Sequence, residues 1–346
     1  MVFNPCCLAT AIGSFPNKDA DAACRMILDC LPEIPLWPQL PQTDFREEME
    51  IQYSEGLPAV VLDEEKKRMF FDISRDLTAA LERFYENYMA ENMDFFKISP
   101  AFSRGIYAME NHLARTDRSS ILYFKSHLTG PVTTGLGRVD ETKRAIYYND
   151  VFRDILVKGM EMKARWLIRK FRFLERPQIC FIDEPILSAF GSSTFVTLRR
   201  EEVIEQLQAV IGAVHKENAL AGIHCCGNTD WTILVDAGVD IISFDAYGFS
   251  ETIAYYPEKI TGFLECGGIL AWGIVPTSEK ILQETAESLV SRLKKYIDNL
   301  AGKGMNKNTL WERCLLTPSC GTGSISEERS DRVFSILSRV SQILHP

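Results

Sequence analysis

The chain has 346 residues, 46% hydrophobic and 25% charged, which excludes a disordered chain, a collagen and a coiled coil. At about 150 residues per domain the length fits two domains, or one α/β barrel. A net charge of −9, from 47 acidic and 38 basic residues, argues against a general nucleic-acid binder, which needs a cationic surface.

The first sixteen residues, MVFNPCCLATAIGSFP, lack the basic start of a signal peptide. No apolar run approaches the roughly 18 residues of a membrane span. Both absences point to a cytoplasmic protein without a membrane partner. Its ten cysteines then read as thiols, packed, reactive or metal-bound, rather than as a disulfide framework.

In chain order, short β-branched or apolar runs stand at residues 8–14, 57–62, 121–127, 178–183, 221–226, 239–245, 269–275 and 314–318. Amphipathic stretches such as 140–171, 200–217 and 277–302 lie between them. Strands alternating with helices imply βαβ units and a parallel sheet. Eight such strands predict a single-domain α/β fold over residues 1–346, a (β/α)8 TIM barrel. A doubly wound sheet is the alternative, but no GxGxxG follows the first strand. Two stretches exceed the barrel's needs. Residues 17–56 contain the Pro-rich segment 32–41, and residues 63–118 contain a predicted helix over 64–92 and a second segment around 95–113. Both read as insertions at the barrel mouth; the plainer reading is that they shield the N-terminal strands.

Functional residues of a barrel gather at the C-terminal tips of its strands. Ser14 stands at the first tip, His127 at the third, Asp183 and Glu184 at the fourth, His224 and Cys226 at the fifth, Asp245 at the sixth and Cys320 at the eighth. Residues two apart on a strand share a face, so His224 and Cys226 can point together. With Cys320, and Asp245 as a fourth donor, they make a soft set suited to tetrahedral Zn²⁺. The competing reading is a satisfied core histidine with two buried thiols. Zinc in such a site can bind a substrate thiol and hold it as thiolate near neutral pH, which suits alkyl transfer to sulfur. Asp183 and Glu184 are candidates for catalytic acid–base work, and Asp183 for binding an ammonium group; otherwise they cap the next helix. Ser14 and His127 are substrate-binding candidates. The alternative for Ser14 is a helix cap.

The segments Ile12-Gly13-Ser14-Phe15-Pro16, Leu128-Thr129-Gly130-Pro131-Val132, Ile182-Asp183-Glu184-Pro185, His224-Cys225-Cys226 and Thr317-Pro318-Ser319-Cys320-Gly321 follow one another in an order that resembles a known family. That family is the C-terminal barrel of cobalamin-independent methionine synthase, related to uroporphyrinogen decarboxylase-like proteins and corrinoid:thiol methyltransferases. The resemblance spans roughly residues 8–325. It implies a (β/α)8 barrel, a catalytic zinc and methyl transfer to a homocysteine-like thiol. It implies His224, Cys226 and Cys320 as zinc ligands, Asp245 in place of a glutamate ligand, and Ser14 and Asp183 as the residues holding the amino-acid part of homocysteine.

The departures bear on the methyl donor. The second barrel of the long methionine synthases is absent. Ile51 or Gln52 stands in place of the family's homocysteine-contacting glutamate. Val275 stands in place of the histidine that protonates the leaving folate. A folate amine needs that proton, whereas a Co(I) corrinoid leaves without one. The expected donor is therefore a methyl-corrinoid protein, with methyl-folate as the other option. The competing functions are a uroporphyrinogen decarboxylase-like lyase, which needs an arginine-rich pocket, and a non-catalytic corrinoid- or metal-binding accessory protein.

Overall fold

The computed structural model describes residues 3–191 and 198–345. Two antiparallel strands, β1 (Val60–Asp63) and β2 (Arg68–Phe71), precede a parallel sheet. That sheet has six strands in sequential order: β3 (Phe124–Thr129), β4 (Gln178–Asp183), β5 (Leu220–Cys225), β6 (Ile241–Phe244), β7 (Ile269–Val275) and β8 (Cys314–Pro318). All but the first residue of β5 are buried in these strands, as near-continuous apolar runs covered on both faces require.

Helices α1 (Ala20–Cys30), α2 (Thr78–Met89) and α3 (Arg104–Leu113) come before the sheet. The crossovers are α4 (Pro131–Gly137) with α5 (Asp150–Lys170), α6 (Arg200–Lys216), α7 (Trp231–Asp236), α8 (Ala246–Phe249) with α9 (Pro257–Glu265), and α10 (Ala286–Gly302) with α11 (Lys307–Glu312). Helix α12 (Glu327–Leu344) closes the chain. The described helices include none long and apolar enough to cross a membrane.

Two irregular segments occupy the sheet's edges. Along β8, the Cys7 and Thr10 N–H groups donate to the Cys314 and Leu316 carbonyls at 2.7 and 3.0 Å. Along β3, the Lys125 N–H donates to the Pro35 carbonyl at 2.9 Å. The two segments then meet each other: Phe15 N–H donates to Gln39 C=O at 2.8 Å, and Gln39 N–H to Gly13 C=O at 2.9 Å. Prolines at 32, 35, 38 and 41 remove every third backbone donor, so this stretch makes isolated bridges rather than a ladder.

The strand expected at 57–62 is thus outside the parallel sheet. It supplies β1 of a hairpin, and the neighbour of β3 is the Pro-rich segment instead. The helix expected over 64–92 shortens to α2 because residues 63–67 turn. Asp63 accepts the Lys66 N–H at 3.0 Å and Lys67 adopts a left-handed φ of 48°. The helix expected from 140 starts at Asp150, where the Asn149 side chain accepts the Val151 and Phe152 N–H groups.

One apolar cluster joins Leu8, Ile34, Phe181, Ile241, Ile269 and Leu315, with Phe3, and so draws on both edge segments and on the ladder strands. At roughly 1.5–3 kcal/mol per fully buried large side chain, it anchors one end of the sheet. A second cluster packs Phe71, Phe84 and Phe96 against Phe152, Ile155 and Leu156 of α5. The hairpin and α2 therefore cover α5.

Candidate metal centre and substrate cleft

Register sets the site. Thr129 pairs with Asp183, Asp183 with His224, and His224 with Ser243, so four polar side chains stand abreast at the C-terminal ends of β3 to β6. Two residues further along, Cys226 falls on the His224 face, and Cys320 leaves the end of β8. The ligand atoms of His224, Cys226 and Cys320 all lie within 4.8 Å of one another. Tetrahedral zinc places such donors about 3.5–3.8 Å apart, so a closure of little more than about an ångström completes the fit.

The donor set suits a soft divalent ion. His224 pairs through Nδ1 with Ser243 Oγ at 3.0 Å, while its buried Nε2 has no partner. A ring N–H donated to a neighbour fixes the tautomer and leaves the other nitrogen free to bind metal. Cys226 is held down at about 4, first by the Cys320 thiol and then by His224. The same contact pushes Cys320 far up. Without a metal the two sulfurs share one proton; a bound cation would release it.

Asp245 stands outside that donor set. Its Oδ1 accepts the Gly248 N–H at 2.8 Å and so caps α8. Glu184 is fully buried and also committed: its oxygens accept the Val132 N–H (3.0 Å), the Thr133 N–H (2.7 Å) and the Thr133 hydroxyl (2.6 Å). It seats the start of α4 rather than facing the cleft. Burial still pushes its pKa up to about 7 against those hydrogen bonds.

Asp183 differs from its neighbour. Its Oδ1 is buried with no partner, and burial raises the carboxyl to about 6, opposed by the charges of His224 and Lys125. His127 stacks on Trp37, ring centroids 3.9 Å apart, and fills the space where a Cβ on Gly13 would sit, 2.6 Å away. Both of its ring nitrogens are buried without partners, and burial together with Lys125 keeps the imidazole neutral. Ser14 lines a cleft of about 560 Å³ with Gln39, Glu50, Arg138 and Cys320. Its Oγ accepts the Gly323 N–H at 3.3 Å, and a Cβ on Gly321 would approach it to 2.1 Å.

Several residues escaped the sequence reading. Lys125 is fully buried, donates to the Ile12 carbonyl at 2.6 Å and lies 4.3 Å from the Phe181 ring centroid. Burial lowers it to about 8. Its spacing of two from His127 was the available signal, since both share one face of β3. Tyr53 donates to the His127 carbonyl at 3.0 Å. Of the two residues considered for the missing glutamate, Ile51 packs into the apolar cluster on α5, whereas Gln52 bonds Gln39 at 2.8 Å.

Neither a protein-family model nor a curated protein matches the sequence. Solved structures do. A B12-independent methionine synthase from a Shewanella species, solved with selenomethionine, matches with a TM-score of 0.54 at 15% identity, over 99% of this chain and 95% of that one. The fold is that of the B12-independent methionine synthases. A putative vitamin-B12-independent methionine synthase from Listeria monocytogenes gives a TM-score of 0.55 at 12% identity, over 95% of this chain and 86% of that one. These methionine synthases therefore share nearly the whole chain path.

Proposed function

We propose that the protein is a zinc-dependent methyltransferase that moves a methyl group to a homocysteine-like thiol, built on a complete (β/α)8 barrel whose first two staves are the irregular edge segments. The observation that carries this reading is the meeting of His224 Nε2, Cys226 and Cys320 at the cleft of a methionine-synthase fold. The selenomethionine in the Shewanella protein, a seleno analogue of a methyl-thioether amino acid, suits the same substrate class.

Zinc on these three donors, with a fourth position open, would lower the pKa of an incoming thiol and present it as the nucleophile. Ser243 holds the His224 tautomer that leaves Nε2 available. Asp183, with a free buried oxygen, receives the substrate ammonium group, and Ser14 meets its carboxylate. His127, stacked on Trp37, packs against Gly13, the residue before Ser14. The sulfur–carbon bond forms as the donor–carbon bond breaks, and the donor keeps the electron pair. At the end of β7 and just past it stand Val275, Pro276 and Thr277, none of them an acid able to protonate a folate nitrogen. A methyl-corrinoid protein therefore suits the cleft better as donor, since its Co(I) product needs no proton. An arginine-rich lyase pocket does not fit, because the arginine lining this cleft, Arg138, is paired with Glu50 at 2.6 Å.

The test combines metal analysis with methyl transfer to homocysteine. Wild type is expected to hold about one zinc per chain and to use methylcobalamin in preference to methyltetrahydrofolate. Cys320→Ala loses both metal and turnover. Stoichiometric zinc without turnover on either donor would instead make this a metal-binding accessory protein, and equal or greater folate activity would remove the corrinoid assignment.

A further inference from the structure

We propose that Cys7 and Cys314 are a disulfide-forming pair that locks the first edge segment to β8, with Cys6 as the thiol through which a small-molecule disulfide enters. The pair stands at the start of β8, the end of the sheet away from the metal centre, and is independent of the methyl-transfer reading.

The backbone is strained where it places these thiols. Residues 5–8 make a tight turn, closed by the Leu8 N–H donating to the Pro5 carbonyl at 2.8 Å. Both central residues take a left-handed φ, 44° at Cys6 and 69° at Cys7. Asn and Gly are the usual residues of such a turn, and two cysteines in a row are not at ease there. The turn is pinned from three sides. The Cys6 N–H donates to the Glu312 carbonyl at 3.2 Å and the Cys7 N–H to the Cys314 carbonyl at 2.7 Å. From the end of α12, the Ser341 hydroxyl donates to the Cys7 carbonyl at 2.8 Å. Strain held this firmly marks a site where side-chain chemistry matters.

Two residues before the Ala9–Leu316 bridge, Cys7 faces Cys314. Neighbouring-strand spacing, roughly 4.8 Å, falls within the Cα separations that a disulfide spans. The two thiols already hydrogen-bond each other. Both are buried, so neither meets a bulky oxidant directly, whereas Cys6 is partly exposed. Burial lifts Cys6 above the ordinary thiol range, and burial followed by Cys7 lifts Cys314 much further, so exchange quickens as pH rises. The bond would close a weak seam: the first edge segment holds β8 by one isolated bridge, whereas β3 to β8 share ladders.

The electrons balance against a small disulfide, RSSR. Cys6 sulfur attacks it, forms a mixed disulfide and releases one RSH. Cys314 sulfur displaces the second RSH and bonds to Cys6. Cys7 sulfur then takes Cys314 and returns Cys6 as a thiol. The protein pair is oxidised, and RSSR is reduced to two RSH.

The experiment incubates the full chain with glutathione disulfide, maps linked peptides by mass spectrometry without reduction and follows thermal unfolding. Wild type is expected to join Cys314 to the Cys6-Cys7 peptide and to gain about 5 °C or more in Tm, reversed by dithiothreitol. Cys6→Ser slows the linkage roughly tenfold yet still joins Cys314, which then has Cys7 alone as partner. Cys314→Ala gains no Tm and serves if Cys6→Ser does not fold. Glutathione on Cys6 alone, a bond between Cys6 and Cys7, oxidation confined to Cys226 and Cys320, or linkage as fast in Cys6→Ser as in wild type overturns the assignment.

Discussion

From β3 onward each strand is a laddered run of four to seven residues, with a register shift between Gly273 and Val275 where β7 meets β8, followed by one or more helices. Before β3 the chain reaches the same sheet through isolated bridges, a proline at every third position, and a hairpin that leaves the sheet altogether. The two regions divide the chemistry as well. His224 and Cys226 come from the end of β5, and Cys320 from the end of β8, on elements whose register is fixed by their neighbours. Ser14 and Gln39 come from the bridged segments. A metal site tolerates little geometric error, so its donors belong on ladders; recognition of a small polar substrate needs only a pair of well-aimed atoms.

The largest expected effect tests the ladder half. His224→Ala drops zinc from about one per chain to near zero and methyl transfer to background; retained metal would show that β5 does not carry the site. Next comes the network that ties α5 to α6. Against the burial that raises it, hydrogen bonds from Arg169 and Arg165 hold Glu217 down at about 2. A carboxyl with a lowered folded pKa contributes stability that is present above its unfolded value, about 4.5, and is lost as pH falls toward 2. Glu217→Gln should therefore cost roughly 2–4 kcal/mol in urea unfolding at pH 7 and much less near pH 2. A gap that stays constant with pH would mean packing, not charge, joins these helices.

Glu184→Gln should cost about 1–3 kcal/mol, because an amide NH₂ would face N–H donors at the start of α4. Zinc should stay bound. If stability is untouched and turnover collapses, Glu184 belongs to the chemistry rather than to the scaffold. The smallest effect is expected at Asp245. Asp245→Ala removes a cap worth about 1 kcal/mol and leaves the zinc content unchanged. Metal loss in that variant would restore the carboxylate as a fourth ligand.

The ladder half was readable in advance. The runs at 178–183, 269–275 and 314–318 are the observed β4, β7 and β8, because strands buried on both faces are unbroken apolar runs. The run at 57–62 was equally apolar, but nothing within it distinguishes a sheet strand from a hairpin strand. The segment beside β3 was hidden because prolines argue against a strand. At the site, the shared face of His224 and Cys226 follows from a period of two. Ser243 was not legible, since its role depends on its lying across from His224, and Lys125 showed only its spacing of two from His127. For Glu184 the helix-cap alternative was the nearer one, although the helix it serves is α4, not the one that follows it.

The proline-spaced segment has one more consequence. Should the first third of the chain loosen during synthesis or on warming, residues 32–41 would offer a passing polypeptide few free N–H groups. Edge-to-edge growth into aggregates needs an uninterrupted row of them. The least regular border of the molecule is therefore a poor template for runaway sheet formation in crowded solution.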